Sequence, residues 1–190
     1  SHHLAASKAL DAIVGAAKLT PTAEKIRRLM HYGQIVQSHA VHFFHLCSPD
    51  LLFGFDSDAA RRNIVAVAQA HPETARQGVL LRKFGQEVIR VTAGKRVHGT
   101  GSVPGGVNKT VTPEERDALL ADVYQMIAWS RGAVGLIKDL HALNPALYNS
   151  FGVFRSNLMS LVGIEGALDF YHGRLRARSP NFAFVSAGDL

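Results

Sequence analysis

Three histidines, His39, His42 and His45, recur at every third position of one apolar segment, with His31 upstream. Imidazole is a common transition-metal ligand, so this spacing raises the chemistry of a metal site. On a helix turning about 100° per residue, His39 and His42 stand about 60° apart and could share an ion, whereas His45 is turned about 120° from His39. No glutamate lies between them, as a zinc-protease helix would have. Packed or interface histidines are therefore expected rather than a metal site. The glycine-rich run GTGSVPGG at 99–106 invites a phosphate cradle. It fails that test, because Lys109 and Thr110 are displaced from Gly106 by Val107 and Asn108 and no strand is expected before the run. Its glycines instead permit close backbone approach to another surface. Cys47 is the only cysteine and ends an apolar stretch, where a thiol usually acts as a small hydrophobe. The sequon at Asn108 carries no weight without a secretion signal.

The elements that must position these residues are mostly helices. Leu4, Ala5, Ala9, Ala12, Ile13 and Ala16 define a first helix with a small-residue face. Thr20 followed by Pro21, with Glu24 in the first turn, is a helix start. That second helix should run to about Cys47, where Ser48 and Pro49 stop it, along the stripe Ile26, Leu29, Met30, Gly33, Val36, Ala40, Phe43 and Phe44. An apolar connection at 51–55 follows, then a helix capped by Ser57 or Asp58 and ending before Pro72. The next helix covers about 73–92, with Val79, Leu80, Phe84, Val88 and Val91 inward and Gly94 as its stop. Thr112, Pro113 and Glu115 make a capping box for a long helix to about Leu143, ahead of Pro145. Alternation across 168–176 with a turn near Gly173 predicts a short hairpin. The fold class is mainly α: a long-helix bundle over 1–165 and a small β element over 166–190.

A chain of 190 residues with 47% hydrophobic and 19% charged residues can bury a sizeable core, which excludes disorder. No apolar run is long enough for a membrane span, and no secretory signal opens the sequence. A single thiol makes no internal disulfide, so a reducing, cytoplasmic setting is the default expectation. The net charge of +6 raises nucleic-acid binding. The basic residues are scattered from Lys25 to Arg178 rather than gathered in one stripe, so solvated helix faces explain them better. Ser1 in first place and a strand-like start at 182–185 make both ends read as cut.

Several ordered strings carry a resemblance: SHHLAASKALD at 1–11, TPTAEKIRRL at 20–29, QSHAVHFFHL at 37–46, LRKFGQEVI at 81–89, His98-Gly99 with PGGVN at 104–108, and DFYHGRLR at 169–176. Together they resemble the large, catalytic subunit of nickel–iron hydrogenases, closest to the bidirectional, NAD-reducing type. The resemblance is densest over residues 1 to 110 and loose over 112–144.

That resemblance implies an oxidoreductase that interconverts dihydrogen with protons and electrons. Its Ni–Fe centre would be held by two CxxC motifs, and with Cys47 alone this chain contains neither. The ligands would lie outside these residues, and the 190 residues by themselves would be inactive. His2 would match the histidine of the family's CxxCxxxH string, set beside the cysteine that bridges the two metals and donating a hydrogen bond to its sulfur. His98, Pro104, Gly105 and Gly106 match a segment that faces the iron–sulfur small subunit. The implied partners are that small subunit with its clusters, a diaphorase module and dihydrogen, with no nucleic acid. Two other readings remain open from the residues: a non-catalytic helical module binding nucleic acid or an acidic protein, and a respiratory-complex subunit that keeps the fold without nickel.

Overall fold

The computed structural model describes residues 2–16, 18–181 and 183–185. It divides into two compact units, residues 1–142 and residues 143–190.

The first unit is helical. Helix α1 spans His2–Ile13 and buries Leu4, Ser7 and Asp11, a stripe at helical spacing that ends on an acid. Helix α2, Pro21–Val41, starts as expected: the Thr20 hydroxyl accepts from the Ala23 amide at 3.2 Å, and Pro21 occupies the first turn. Helix α5, Pro72–Ala93, ends on Gly94 at φ +77°, the left-handed conformation that glycine adopts without strain. Helices α2 and α5 form the core. They cross where Gly33 and Gly85 meet: a Cβ on Gly85 would lie 2.6 Å from the Gln37 amide nitrogen and 2.8 Å from the Gly33 carbonyl oxygen. Only two glycines let the backbones come that close. Met30, Ile89 and Ala93 pack beside the crossing.

The stop expected at Ser48 and Pro49 does not occur. Past α2 the chain winds as a π-helical turn, His42–Cys47, and continues directly into α3, Ser48–Phe53. A proline in an α-helix loses one hydrogen bond and crowds the carbonyl four residues back, here that of His45. The wider π turn relieves that crowding, and the Ser48 hydroxyl donates to the Phe44 carbonyl at 2.7 Å. The expected apolar connection is thus partly helix, and Phe55 beyond it is 39% exposed. Neither Ser57 nor Asp58 caps the next helix. Asn63 does, accepting from the amides of Val65 and Ala66 at the start of α4, Ile64–Ala70. Asp58 instead closes a separate turn by accepting from the Ala60 amide. On α5 the inward set also shifts. Val79 is 53% exposed, while Leu81 and Ile89 are buried with Val88 and Val91.

After α5 the chain forms a miniature hairpin, β1 (Ser102–Val103) and β2 (Gly106–Val107). Helix α6, Pro113–Leu143, opens with the expected capping box: the Thr112 hydroxyl accepts from the Glu115 amide and the Glu115 carboxylate from the Thr112 amide. It reaches the core through Met126, which joins Ala40, Phe44 and Leu81.

The second unit holds α7 (Pro145–Ser150) and three antiparallel strands, β3 (Leu158–Val162), β4 (Arg174–Arg178) and β5 (Phe184–Val185), in the order β3-β4-β5. The hairpin expected across 168–176 is wider than its alternation implied. Its partner strand is β3, ahead of residue 165, and the stretch before Gly173 is the connection. Asp169 shapes that connection, its carboxylate accepting from the amides of Tyr171 and His172. The expected strand start at 182–185 is β5 at Phe184 and Val185, with Phe182 outside the described residues.

Candidate functional site

The three histidines do not assemble a site. His39 Nδ1 lies 3.0 Å from the Ile35 carbonyl of its own helix. His42 stands against Cys47, with Nε2 3.4 Å from Sγ. That contact is a product of the π turn, whose five-residue hydrogen-bond spacing stacks residues i and i+5. Burial, and then the nearby Asp50 carboxylate, push the Cys47 thiol above its ordinary value, so it stays protonated and poorly nucleophilic. Among the described residues no group of three His, Cys, Asp or Glu side chains could hold a metal ion. With one thiol, these residues do not fit a four-thiolate centre.

The region where the chain gathers functional candidates is instead the N-terminal half of α1 together with the β1–β2 hairpin. His2 is exposed on the first turn of α1. His3 beside it is half-buried, and its Nε2 accepts from the Ser102 amide at 3.3 Å, which ties β1 to the start of the helix. Burial above all, with the positive charge of Arg27 adding to it, holds His3 below its ordinary value and favours the neutral ring that this bond requires.

Further along α1, Asp11 forms a buried ion pair with Arg27 of α2. Arg27 is wholly buried. Its Nη1 and Nη2 donate to the two Asp11 carboxylate oxygens, Nη2 donates also to the Val103 carbonyl, and Nε donates to the Gly106 carbonyl at 3.0 Å. Asp11 accepts in addition from the Gly105 amide at 2.7 Å. The Arg27 hydrogen bond lowers the Asp11 pKa most; burial opposes it, and the Gly105 amide and the charges of Arg27 and Lys8 add to the lowering.

The hairpin turn is thus gripped from beneath while its outer side is open. Pro104 and Gly105 are exposed, and Gly105 sits at φ +81°, where a side chain would be strained. His98 is exposed on the approach to β1, at φ +53°, the only non-glycine residue at positive φ among the described residues. Gly101 passes so close to α5 that a Cβ would meet the Thr92 carbonyl oxygen at 2.5 Å. The expectation that the glycine run permits close approach holds here, within this chain. Sequence reasoning places Pro104, Gly105, Gly106 and His98 on one surface loop but misses Asp11 and Arg27 beneath it. A signal is present: two opposite charges each occupy a core-facing helical phase, Asp11 after Leu4 and Ser7, Arg27 between Ala23 and Met30.

No protein-family model matches the chain. It is 43% identical over 187 residues to the NAD-reducing hydrogenase HoxS subunit beta of Cupriavidus necator, covering 93% of this chain and 38% of that protein. It is 42% identical over 181 residues to a polypeptide of the vhu F420-non-reducing hydrogenase of Methanocaldococcus jannaschii, covering 95% of this chain and 43% of that one. Among solved structures it matches an NAD+-reducing NiFe-hydrogenase in the H2-reduced state with a TM-score of 0.93 and 51% identity, over 98% of this chain and 42% of that chain. A nickel–iron–selenium hydrogenase of Desulfomicrobium baculatum, at 19% identity and a TM-score of 0.64 over 85% of this chain and 37% of that chain, shares the fold. The chain spans about two fifths of the length of the relatives from Cupriavidus necator and Methanocaldococcus jannaschii. These similarities give no support to a nucleic-acid-binding module.

Proposed function

This chain corresponds to a stretch of the large subunit of nickel–iron hydrogenases, and from that premise we propose that the protein carrying it oxidises dihydrogen reversibly to protons and electrons. The observation that supports this most is the match across 98% of the chain, at 51% identity, to an enzyme solved in its H2-reduced state. The residues 1–190 would supply helical scaffold. A Ni–Fe centre would take its cysteine ligands from other parts of the polypeptide, since Cys47 is the one thiol here.

His2, exposed on the first turn of α1, is free to meet a neighbouring sulfur and donate a hydrogen bond to it. His98 and the turn of Pro104, Gly105 and Gly106 would face an iron–sulfur small subunit that carries the electrons away. NAD would be the acceptor, in keeping with the NAD-reducing relative of Cupriavidus necator, and a diaphorase module would pass the electrons to it. No helix among the described residues is long and apolar enough to cross a membrane. The test is hydrogen-dependent reduction of NAD or a viologen dye by the complete protein with its partner subunits. Absence of hydrogen uptake with every acceptor, in a preparation loaded with nickel and iron, overturns the proposal.

A further inference from the structure

We infer that Asp11 and Arg27 are positioning residues for docking of the iron–sulfur partner, holding the 103–106 turn in a preset shape that the partner meets. The inference rests on the reading of that turn as the docking surface.

Stability is a weak reason to bury this pair. Replacing a buried ion pair by apolar residues of similar volume is often neutral or stabilising, so its value lies in what it specifies. What it specifies is one turn. The hydrogen bonds of this pair beyond its own two end on main-chain atoms of the hairpin: the carbonyls of Val103 and Gly106 and the amide of Gly105. The hairpin has two residues in each strand, far too few to hold a conformation in water. On its open side Pro104 and Gly105 are exposed. A short turn fixed at three main-chain points from beneath, and bare above, is a surface ordered before binding. Such preordering removes an entropic cost from association.

The experiment uses the complete large subunit with its co-expressed iron–sulfur partner, measuring their dissociation constant, the melting temperature, and amide hydrogen exchange across 102–107. The double variant Asp11→Leu with Arg27→Met replaces the pair by apolar side chains and leaves the hairpin unanchored. The expected result is a melting temperature near that of the parent, lost protection in the hairpin, and association weakened by about tenfold or more. Should this variant not fold, Arg27→Lys takes its place, keeping the charge but losing the fork that reaches the two carbonyls. The variant Pro104→Trp, on the open side, tests the docking surface itself. Weakened association in Pro104→Trp, with wild-type association in the folded clamp variant, overturns the positioning role and leaves the docking surface standing. Wild-type association in Pro104→Trp overturns the docking surface and the positioning role with it.

Discussion

Arg27 and Asp11, on two different helices and 16 residues apart, meet through two hydrogen bonds in a buried site, and between them they hold the Gly105 amide and the carbonyls of Val103 and Gly106. One pair therefore connects α1, α2 and the hairpin. Asp11→Asn keeps the volume but leaves the Arg27 guanidinium buried without a counter-charge. It should lower unfolding stability by about 3–5 kcal/mol, the range for breaking one side of a buried pair. Chemical denaturation measures this, and a loss below about 1 kcal/mol, typical of surface pairs, would contradict the burial of Arg27.

The same pair sets an acid limit. Arg27 depresses the folded-state pKa of Asp11 below its ordinary 3.8, so the unfolded chain binds the proton more readily than the folded one. Its contribution is fully present above the ordinary value and is lost as pH falls through the depressed one. Stability should therefore drop steeply below about pH 3.8 in the parent. It should drop less steeply in Asp11→Asn, as followed by unfolding free energy against pH. Equal slopes in the two proteins would remove Asp11 from the acid response.

His3 acts in a higher window and in the same direction. Burial lowers its pKa from 6.5, so the folded protein favours the neutral ring that accepts from Ser102. This contribution is present above about pH 6.5 and fades as the pH falls through the lowered value. Amide exchange at Ser102, corrected for its intrinsic pH dependence, should quicken over that range in the parent. It should already be fast in His3→Ala at neutral pH. Equal protection in both would show that the imidazole does not hold β1.

What is legible in the sequence follows from local chemistry. Thr20 with Pro21, Gly94, and the Thr112–Glu115 box act within one helical turn, and each boundary lies where those residues place it. The misplaced features depend on tertiary context. Pro49 reads as a breaker, yet a π turn absorbs it, because the helix on either side has a core to pack against. Ser57, Asp58 and Asn63 are all good caps, and which of them starts α4 depends on where the backbone turns. The buried pair is hard to see because charge is ordinarily a sign of solvent, and only two opposite charges at core-facing phases betray it. The residues proposed to meet a partner come from the family resemblance, and what fixes the shape of their turn comes from the fold.

Helix crossing supplies a steric prediction with a built-in control. Gly85→Ala would set a methyl 2.6 Å from the Gln37 amide nitrogen and 2.8 Å from the Gly33 carbonyl, both backbone atoms that cannot rotate away. The helices must part, at about 1–3 kcal/mol, which outweighs the helix-propensity gain of up to about 1 kcal/mol. Gly132, on α6, has nothing within 4 Å of an added Cβ, so Gly132→Ala keeps the propensity gain alone. The two substitutions should therefore move the melting temperature in opposite directions. A stabilised Gly85→Ala would mean that α2 and α5 do not cross in backbone contact.

Cys47 tests the π turn chemically. Its thiol is pushed above 9.0, first by burial and then by Asp50, so alkylation should accelerate only at pH values above the ordinary thiol range. Asp50→Asn should lower the midpoint of that acceleration without returning it to the ordinary value, because burial is the larger cause. Iodoacetamide labelling rates against pH, read by mass spectrometry, measure both midpoints. A parent midpoint below 9.0 would mean that His42, 3.4 Å from the sulfur, stabilises a thiolate and outweighs burial. In that case the i, i+5 stacking of the π turn would have made a reactive pair out of two residues that an α-helix keeps apart.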